Sequence, residues 1–178
     1  MMILDRIQML DAAGTRWCNL ASRVGPARLF FGLISRLGDG MFWYALMLAM
    51  PFIGGTWTST ALMAIVGGVA TLTYRRLKEG TRRPRPCEVQ ATLTISVAPL
   101  DRFSFPSGHT LHAAAFTVLA CAIVPGLTPM LVPFAVLVAL SRLVLGLHYP
   151  SDVLVGGGLG AGLAALGLLV AESCGLVV

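Results

Sequence analysis

Residues 103–141 read FSFPSGHTLHAAAFTVLACAIVPGLTPMLVPFAVLVALS, 39 residues without one Asp, Glu, Lys or Arg. The run breaks once, at Pro125-Gly126-Leu127-Thr128-Pro129, a strong turn signal. An apolar helix needs about 20 residues to cross a bilayer, with about 17 as a lower limit, so the run holds two spans. They are expected at 107–125 and 129–147. A second charge-free run, Gly40 to Tyr74, has 35 residues and breaks at Gly54-Gly55-Thr56. A third extends from Val153 to Ala171. They predict spans at 39–55, 57–76 and 151–172. Backbone polar groups in lipid must pair within their own segment, so helices are expected throughout. The predicted fold is all-α, an integral membrane helical bundle of about five transmembrane helices.

Working outward, residues 1–25 carry Ile3, Ile7, Leu10, Gly14, Trp17, Ala21 and Val24 at alternating steps of four and three. Asp5, Gln8, Asp11, Arg16, Asn19 and Arg23 fall between them. This predicts an N-terminal amphipathic helix, lying on the membrane or against the bundle and ended by Gly25-Pro26. The charges leave no uninterrupted apolar run, so no secretory signal is expected. Residues 26–178 then form the membrane domain, with 27–38 leading into the first span.

Composition agrees. Hydrophobic residues make up 56% of the 178 residues and charged residues 12%, and the mean hydropathy is +0.81. Soluble domains carry about 25% charged residues. The net charge of +5 suits an anionic membrane surface or a phosphorylated substrate. Nucleic acid is not expected, because no long polar face exists to hold it. Cys18, Cys87, Cys121 and Cys174 are scattered without metal-type spacing and read as small apolar fillers. Gly156, Gly157, Gly158, Gly160 and Gly162 make the last span small-faced, which predicts close helix packing and leaves a homo-oligomer open.

Three islands hold the reactive residue types. Lys78 to Pro86 reads KEGTRRPRP, dense in cations and stiffened by proline. Guanidinium forks and an ammonium suit phosphate oxygens, while anionic headgroups would attract the same patch. Pro106-Ser107-Gly108-His109 stands just before an apolar run. Ser107 is a good N-cap, Gly108 allows close backbone approach, and a helix N-terminus attracts anions. In the third island, Ser141-Arg142 is followed after five residues by His148 and after three more by Asp152. Asp152 can face His148 across the short turn, fixing the imidazole tautomer and freeing the other nitrogen as a nucleophile. A structural Arg142–Asp152 pair is the plainer alternative. With the predicted spans, all three islands lie on one membrane face.

These motifs resemble those of the type-2 phosphatidic acid phosphatase superfamily. Its pattern is Lys, six residues, Arg-Pro; then Pro-Ser-Gly-His; then Ser-Arg, five residues, His, three residues, Asp. Lys78 with Arg85-Pro86, Pro106 to His109, and Ser141-Arg142 with His148 and Asp152 match every fixed position. The resemblance implies a membrane lipid phosphatase acting on a phosphomonoester or pyrophosphate of a lipid. His148 would attack phosphorus and form a phosphohistidine, Asp152 would orient it, and His109 would protonate the leaving oxygen. Lys78, Arg85, Ser107, Gly108 and Arg142 would hold the phosphoryl oxygens, and no cofactor or metal is implied. His112, one turn after His109, is a candidate headgroup contact. Expected partners are a lipid phosphate and membrane lipids. A lipid phosphotransferase on the same scaffold and a non-catalytic phospholipid binder are the alternatives; a soluble vanadium haloperoxidase does not suit so apolar a chain. A metal site from Asp101, His109, His112 and His148 matches no common spacing. The expected location is the cytoplasmic (inner) membrane. Arg6, Arg16, Arg23, Arg28 and Arg36 lean the active-site face to the cytoplasm, whereas membrane relatives usually have six spans and face outward.

Overall fold

The computed structural model describes residues 3–94, 97 and 101–176, and among them every regular element is helical. In chain order these are α1 (Ile3–Asn19), α2 (Gly25–Leu37), α3 (Met41–Ala49), α4 (Trp57–Thr81), the short α5 (Pro86–Val89), α6 (Gly108–Ile123), α7 (Thr128–Val144) and α8 (Pro150–Ser173). Single 3-10 turns occupy Leu20–Arg23, Met50–Phe52 and Pro125–Leu127. The segment 27–38, expected to be a lead-in, is most of α2, begun by Pro26 in its first turn. Among the described residues two helical stretches are long and apolar enough to cross a membrane, Pro125–Val144 and Pro150–Ser173. Met41–Phe52 and Gly108–Ile123 are apolar but shorter.

α6 is the centre of the bundle and packs against α4, α7 and α8. Its contact with α8 is backbone on backbone. A Cβ on Gly160 would stand 2.1 Å from the Leu111 carbonyl oxygen, and one on Gly156 would stand 2.6 Å from that of Ser107. Of the small residues predicted for the last span, Gly156, Gly157 and Gly160 are turned onto α6 while Gly158 and Gly162 are exposed, and only glycine at 156 and 160 lets the two axes come so near. On the other side of α6, Trp43, Met50, Met63, Phe116, Leu119 and Leu131 fill a continuous core. Outer faces are apolar as well: Tyr44, Leu48, Ile65, Leu72, Val136, Leu154 and Leu166 are exposed. A chain apolar on both sides of its helices is matched to a hydrocarbon solvent.

The N-terminal stripe is present, but it points away from the bundle. Ile7, Leu10, Trp17 and Val24 are exposed, while Asp11, Thr15, Asn19 and Ser22 are buried. α1 docks on α7 and α8 by its polar side. Asn19 donates to the Val144 carbonyl at 2.9 Å and exchanges two bonds with the backbone of Thr94, at 3.1 and 2.8 Å. The apolar side remains free for lipid.

Candidate active site

Each island is placed by a helix terminus. α4 ends at Arg82, whose left-handed φ of 48° turns the chain back so that Arg83 and Arg85 return beside Lys78. Ser107 caps α6, as its position before the apolar run predicts. α7 closes on Gly146 at φ 68°. Gly146 donates to the Leu143 carbonyl at 3.0 Å and Leu147 to that of Arg142 at 3.1 Å, a helix stop that requires the left-handed glycine. His148 follows at once, its own N–H also on the Arg142 carbonyl at 3.2 Å. α8 then starts at Pro150. Ser107 N–H donates to the Asp152 carbonyl at 3.0 Å, locking the second island to the third.

These termini open on one cavity of about 1020 Å³. Lys78, Arg85, Gly108, His109, His112, Arg142 and His148 line it, together with Asp39 and Asp101. Trp43 and Met47 from α3, Ala64 and Gly67 from α4, and Phe116 from α6 continue the wall as an apolar groove. Ser107 and Asp152 are buried behind the wall and do not line it.

The cations are spread over few carboxylates. Lys78 Nζ bonds both Asp101 oxygens, at 2.7 and 2.8 Å, and the Phe103 carbonyl at 2.9 Å. Arg85, 1% exposed, donates from Nη2 to Asp101 at 2.5 Å and from Nη1 to the Leu147 carbonyl at 2.7 Å. Burial would raise the Asp101 carboxyl, but the two cations outweigh it and hold the group below the usual carboxylate range. Arg142 is buried, donates to Ser35 Oγ, and keeps its Nε without a hydrogen-bond partner. Lys78 and Arg85 thus share Asp101, Asp39 is taken by His109, and Arg142 is bonded to no carboxylate among the described residues, an excess of positive charge that suits a phosphate.

His148 stands among them. Its Nε2 is 3.3 Å from Arg85 Nη1. A guanidinium can only donate, so Nε2 is the acceptor and the ring proton sits on Nδ1. Nδ1 is 3.6 Å from Asp152 Oδ2, close enough to be paired electrostatically but longer than a hydrogen bond. Burial, then the neighbouring Arg142, Arg85 and Lys78, push the His148 pKa well below its ordinary value. Burial and the surrounding cations thus favour the neutral ring, whose Nε2 keeps its lone pair on the cavity side and accepts from Arg85.

His109 is paired with Asp39, which ends the α2–α3 turn. His112 faces the cavity, but both its ring nitrogens have protein neighbours, Nδ1 at 2.9 Å from the Gly108 carbonyl and Nε2 at 3.1 Å from Thr71 Oγ1. The anticipated Arg142–Asp152 pair is replaced by another: Asp152 Oδ1 takes Arg83 Nη1 at 2.6 Å. Asp39 and Arg83 were not singled out as site residues from the sequence, and Asp101 was named only in the metal site that the spacing disfavours. For Asp39 and Asp101 the available signal was position, each lying at the edge of a charge-free run.

The fold and site together define a helical bundle with a cation-lined cavity and a buried histidine at its wall. A sequence profile described as the PAP2 superfamily matches residues 55–174, and the chain belongs to this family. Phosphatidylglycerophosphatase B of Bacillus subtilis is 35% identical over 154 residues, which is 78% of this chain and 66% of that protein. Decaprenylphosphoryl-5-phosphoribose phosphatase of Mycolicibacterium smegmatis is 36% identical over 110 residues, 61% of this chain and 57% of that one. The chain thus spans less than two thirds of the length of either curated relative. A crystal structure of a transmembrane PAP2-type phosphatidylglycerolphosphate phosphatase from Bacillus subtilis superposes with a TM-score of 0.78 at 30% identity, covering 94% of this chain and 87% of that one. The all-helical fold therefore matches a transmembrane member of the family.

Proposed function

We propose that this chain is a membrane lipid phosphatase that works through a phosphohistidine on His148. The observation that carries the reading is the placement of His148 Nε2 at 3.3 Å from Arg85, in a cavity whose wall passes from cations to an apolar groove. A phosphate would replace Asp101 on Lys78 and Arg85 and engage Arg142 and the amides at the α6 N-terminus. Nε2 then attacks phosphorus in line, and the bond from phosphorus to the lipid oxygen breaks. His109 gives its proton to that oxygen, with Asp39 holding the ring. Asp152 offsets the positive charge on His148. Water, deprotonated by His109, next attacks phosphorus; the P–N bond breaks and inorganic phosphate leaves. The side chains supply the charge, so the reaction is metal-independent in this account.

The substrate is a phosphate or pyrophosphate on a long apolar anchor; the two named relatives are phosphatases of lipid-linked phosphates. The anchor would lie along Trp43, Met47, Ala64 and Gly67. His112 lines the same groove and would sense the headgroup. In this reading, residues 26–178 are the phosphatase domain and residues 1–25 an interfacial helix. The spans are α3 with its following turn, α4, α6, α7 and α8. α3 and α6 are short, and local thinning of the bilayer lets them reach across. The active-site face is placed in the cytoplasm on the arginine bias; labelling of Cys87 in intact cells by an impermeant thiol reagent would contradict that.

The test is phosphate release by purified protein from a panel of lipid phosphates and pyrophosphates, with chelator present, beside His148→Ala. Release that survives chelator and vanishes in the variant is expected. Equal release by the variant, or none from any lipid, would leave a phospholipid-binding protein instead.

A further inference from the structure

The carboxylate behind the nucleophile does not stand alone. Asp152 is 0% exposed. Its Oδ2 accepts the Tyr149 N–H at 2.9 Å and faces His148, while Oδ1 accepts Arg83 at 2.6 Å. Arg83 also donates to Ser151 Oγ at 2.8 Å and to Asp11 Oδ2 at 2.7 Å, and lies over the Tyr149 ring at 4.1 Å. Asp11 is on α1 and 4% exposed. It takes Ser151 twice, the backbone N–H at 2.9 Å and the hydroxyl at 2.5 Å. Neither Asp11 nor Arg83 lines the catalytic cavity. Arg83 falls among the six positions that the motif leaves unspecified between Lys78 and Arg85, and Asp11 lies outside the residues that the family profile matches.

The order of charge in this chain of contacts is minus, plus, minus. A fully buried carboxylate is costly without a cation, and Arg83 supplies one. Arg83 alone would cancel the charge that Asp152 offers to His148. Asp11 cancels Arg83 in turn, so one negative charge remains to face the imidazole as it becomes cationic. Fixing the helix to the bundle does not by itself call for this arrangement. Asn19 already ties α1 to the end of α7, and Gly14 packs on Pro150 so closely that a Cβ would stand 2.9 Å from the ring.

We propose that Asp11 and Arg83 are positioning residues for the nucleophile, through which α1 fixes the Asp152 carboxylate against His148 and becomes a working part of the phosphatase centre. The inference rests on the phosphohistidine reading above. Both residues act through Asp152, so they govern the rate of phosphoryl transfer and not the binding of substrate.

The experiment measures kcat and KM on the best lipid phosphate for Arg83→Ala, Asp11→Asn and His148→Ala, each checked for a monodisperse, cooperatively melting sample in detergent. Loss of such outer contacts lowers activity about 10- to 100-fold, and the fall is expected in kcat with KM within about twofold. Millimolar guanidinium should restore part of the Arg83→Ala rate and none of the His148→Ala rate. If Arg83→Ala does not fold, Arg83→Lys replaces it: a lysine loses the two-nitrogen fork that reaches Asp152 from Nη1 and Asp11 from Nη2, and a loss in kcat is again expected. The isosteric Asp11→Asn carries the test independently. Folded variants with kcat within twofold of the parent, or with a raised KM alone, would overturn the inference while an inactive His148→Ala upheld the phosphatase reading. Full activity in His148→Ala would overturn the phosphatase reading itself.

Discussion

The first turns of α8 are held from two sides by opposite means. On the α6 side there are almost no side chains: Gly156 and Gly160 let backbone meet backbone, with the Leu111 and Ser107 carbonyls where a Cβ would be. On the α1 side the contact is made of buried ions, Asp11 with Arg83 and Arg83 with Asp152. Glycine packing sets a distance that cannot be adjusted, because any added atom meets backbone. The ion contacts set an orientation and a charge. The first side fixes where His148 and Asp152 stand relative to Ser107, Gly108 and His109; the second governs how reactive they are.

The comparison breaks most severely at Gly160. Gly160→Leu should abolish folding, since even a Cβ would be 2.1 Å from a carbonyl oxygen in the centre of the bundle, and no monodisperse protein should be recovered in detergent. Gly156→Ala is milder, about 1–3 kcal/mol by analogy with overpacked cores, read as a lower melting temperature with a parallel loss of activity. A folded, fully active Gly160→Leu would mean that α6 and α8 do not approach as described.

On the charged side, effects on binding and pH should exceed effects on packing. If phosphate replaces Asp101 on Lys78 and Arg85 as proposed, Asp101→Asn should tighten inhibition by inorganic phosphate, by about tenfold for roughly 1.4 kcal/mol of relieved competition. An unchanged inhibition constant would show that Asp101 does not share the phosphate site. The pH dependence follows from His148, whose pKa burial and its cations lower. Above about pH 6.5 the ring is neutral folded or unfolded; below it, the unfolded chain takes up a proton that the folded protein refuses. Stability therefore falls as pH drops below that point, and His148→Gln should flatten the fall in melting temperature between pH 7 and about pH 5. The smallest effect is expected at His112, whose ring nitrogens are already engaged by Thr71 and Gly108. His112→Ala should alter preference among lipid phosphates more than maximal rate; identical kinetics across the panel would remove it from the groove's selectivity.

Much of the glycine side was legible in the sequence, and little of the ion side. The charge-free runs, the turn at Pro125 to Pro129 and the small residues of the last span are local patterns, and each names an element or a face directly. The three motifs are also local, and their convergence follows from counting spans. Asp11, by contrast, finds Arg83 across 72 positions of chain. Nothing in the spacing of α1 says that its polar stripe, and not its apolar one, turns inward. That choice belongs to the solvent: lipid takes the apolar face, so the buried contact is left to Asp11, Thr15 and Asn19. Asp39 escaped notice for the same reason, as did the pairing of Asp101 with Lys78 and Arg85, since these partners are set by tertiary placement and not by any period.

The central claim is that His148 Nε2 takes the phosphate covalently. Its most direct test is rapid quenching of the purified protein after mixing with a lipid labelled in its phosphate, followed by stability analysis of the labelled protein and mapping of the site. The account predicts a label that is stable in base, lost in acid, located on His148 and missing from His148→Ala. A turning-over enzyme whose label sits on another residue, or which carries none while His148→Ala turns over equally fast, would contradict it.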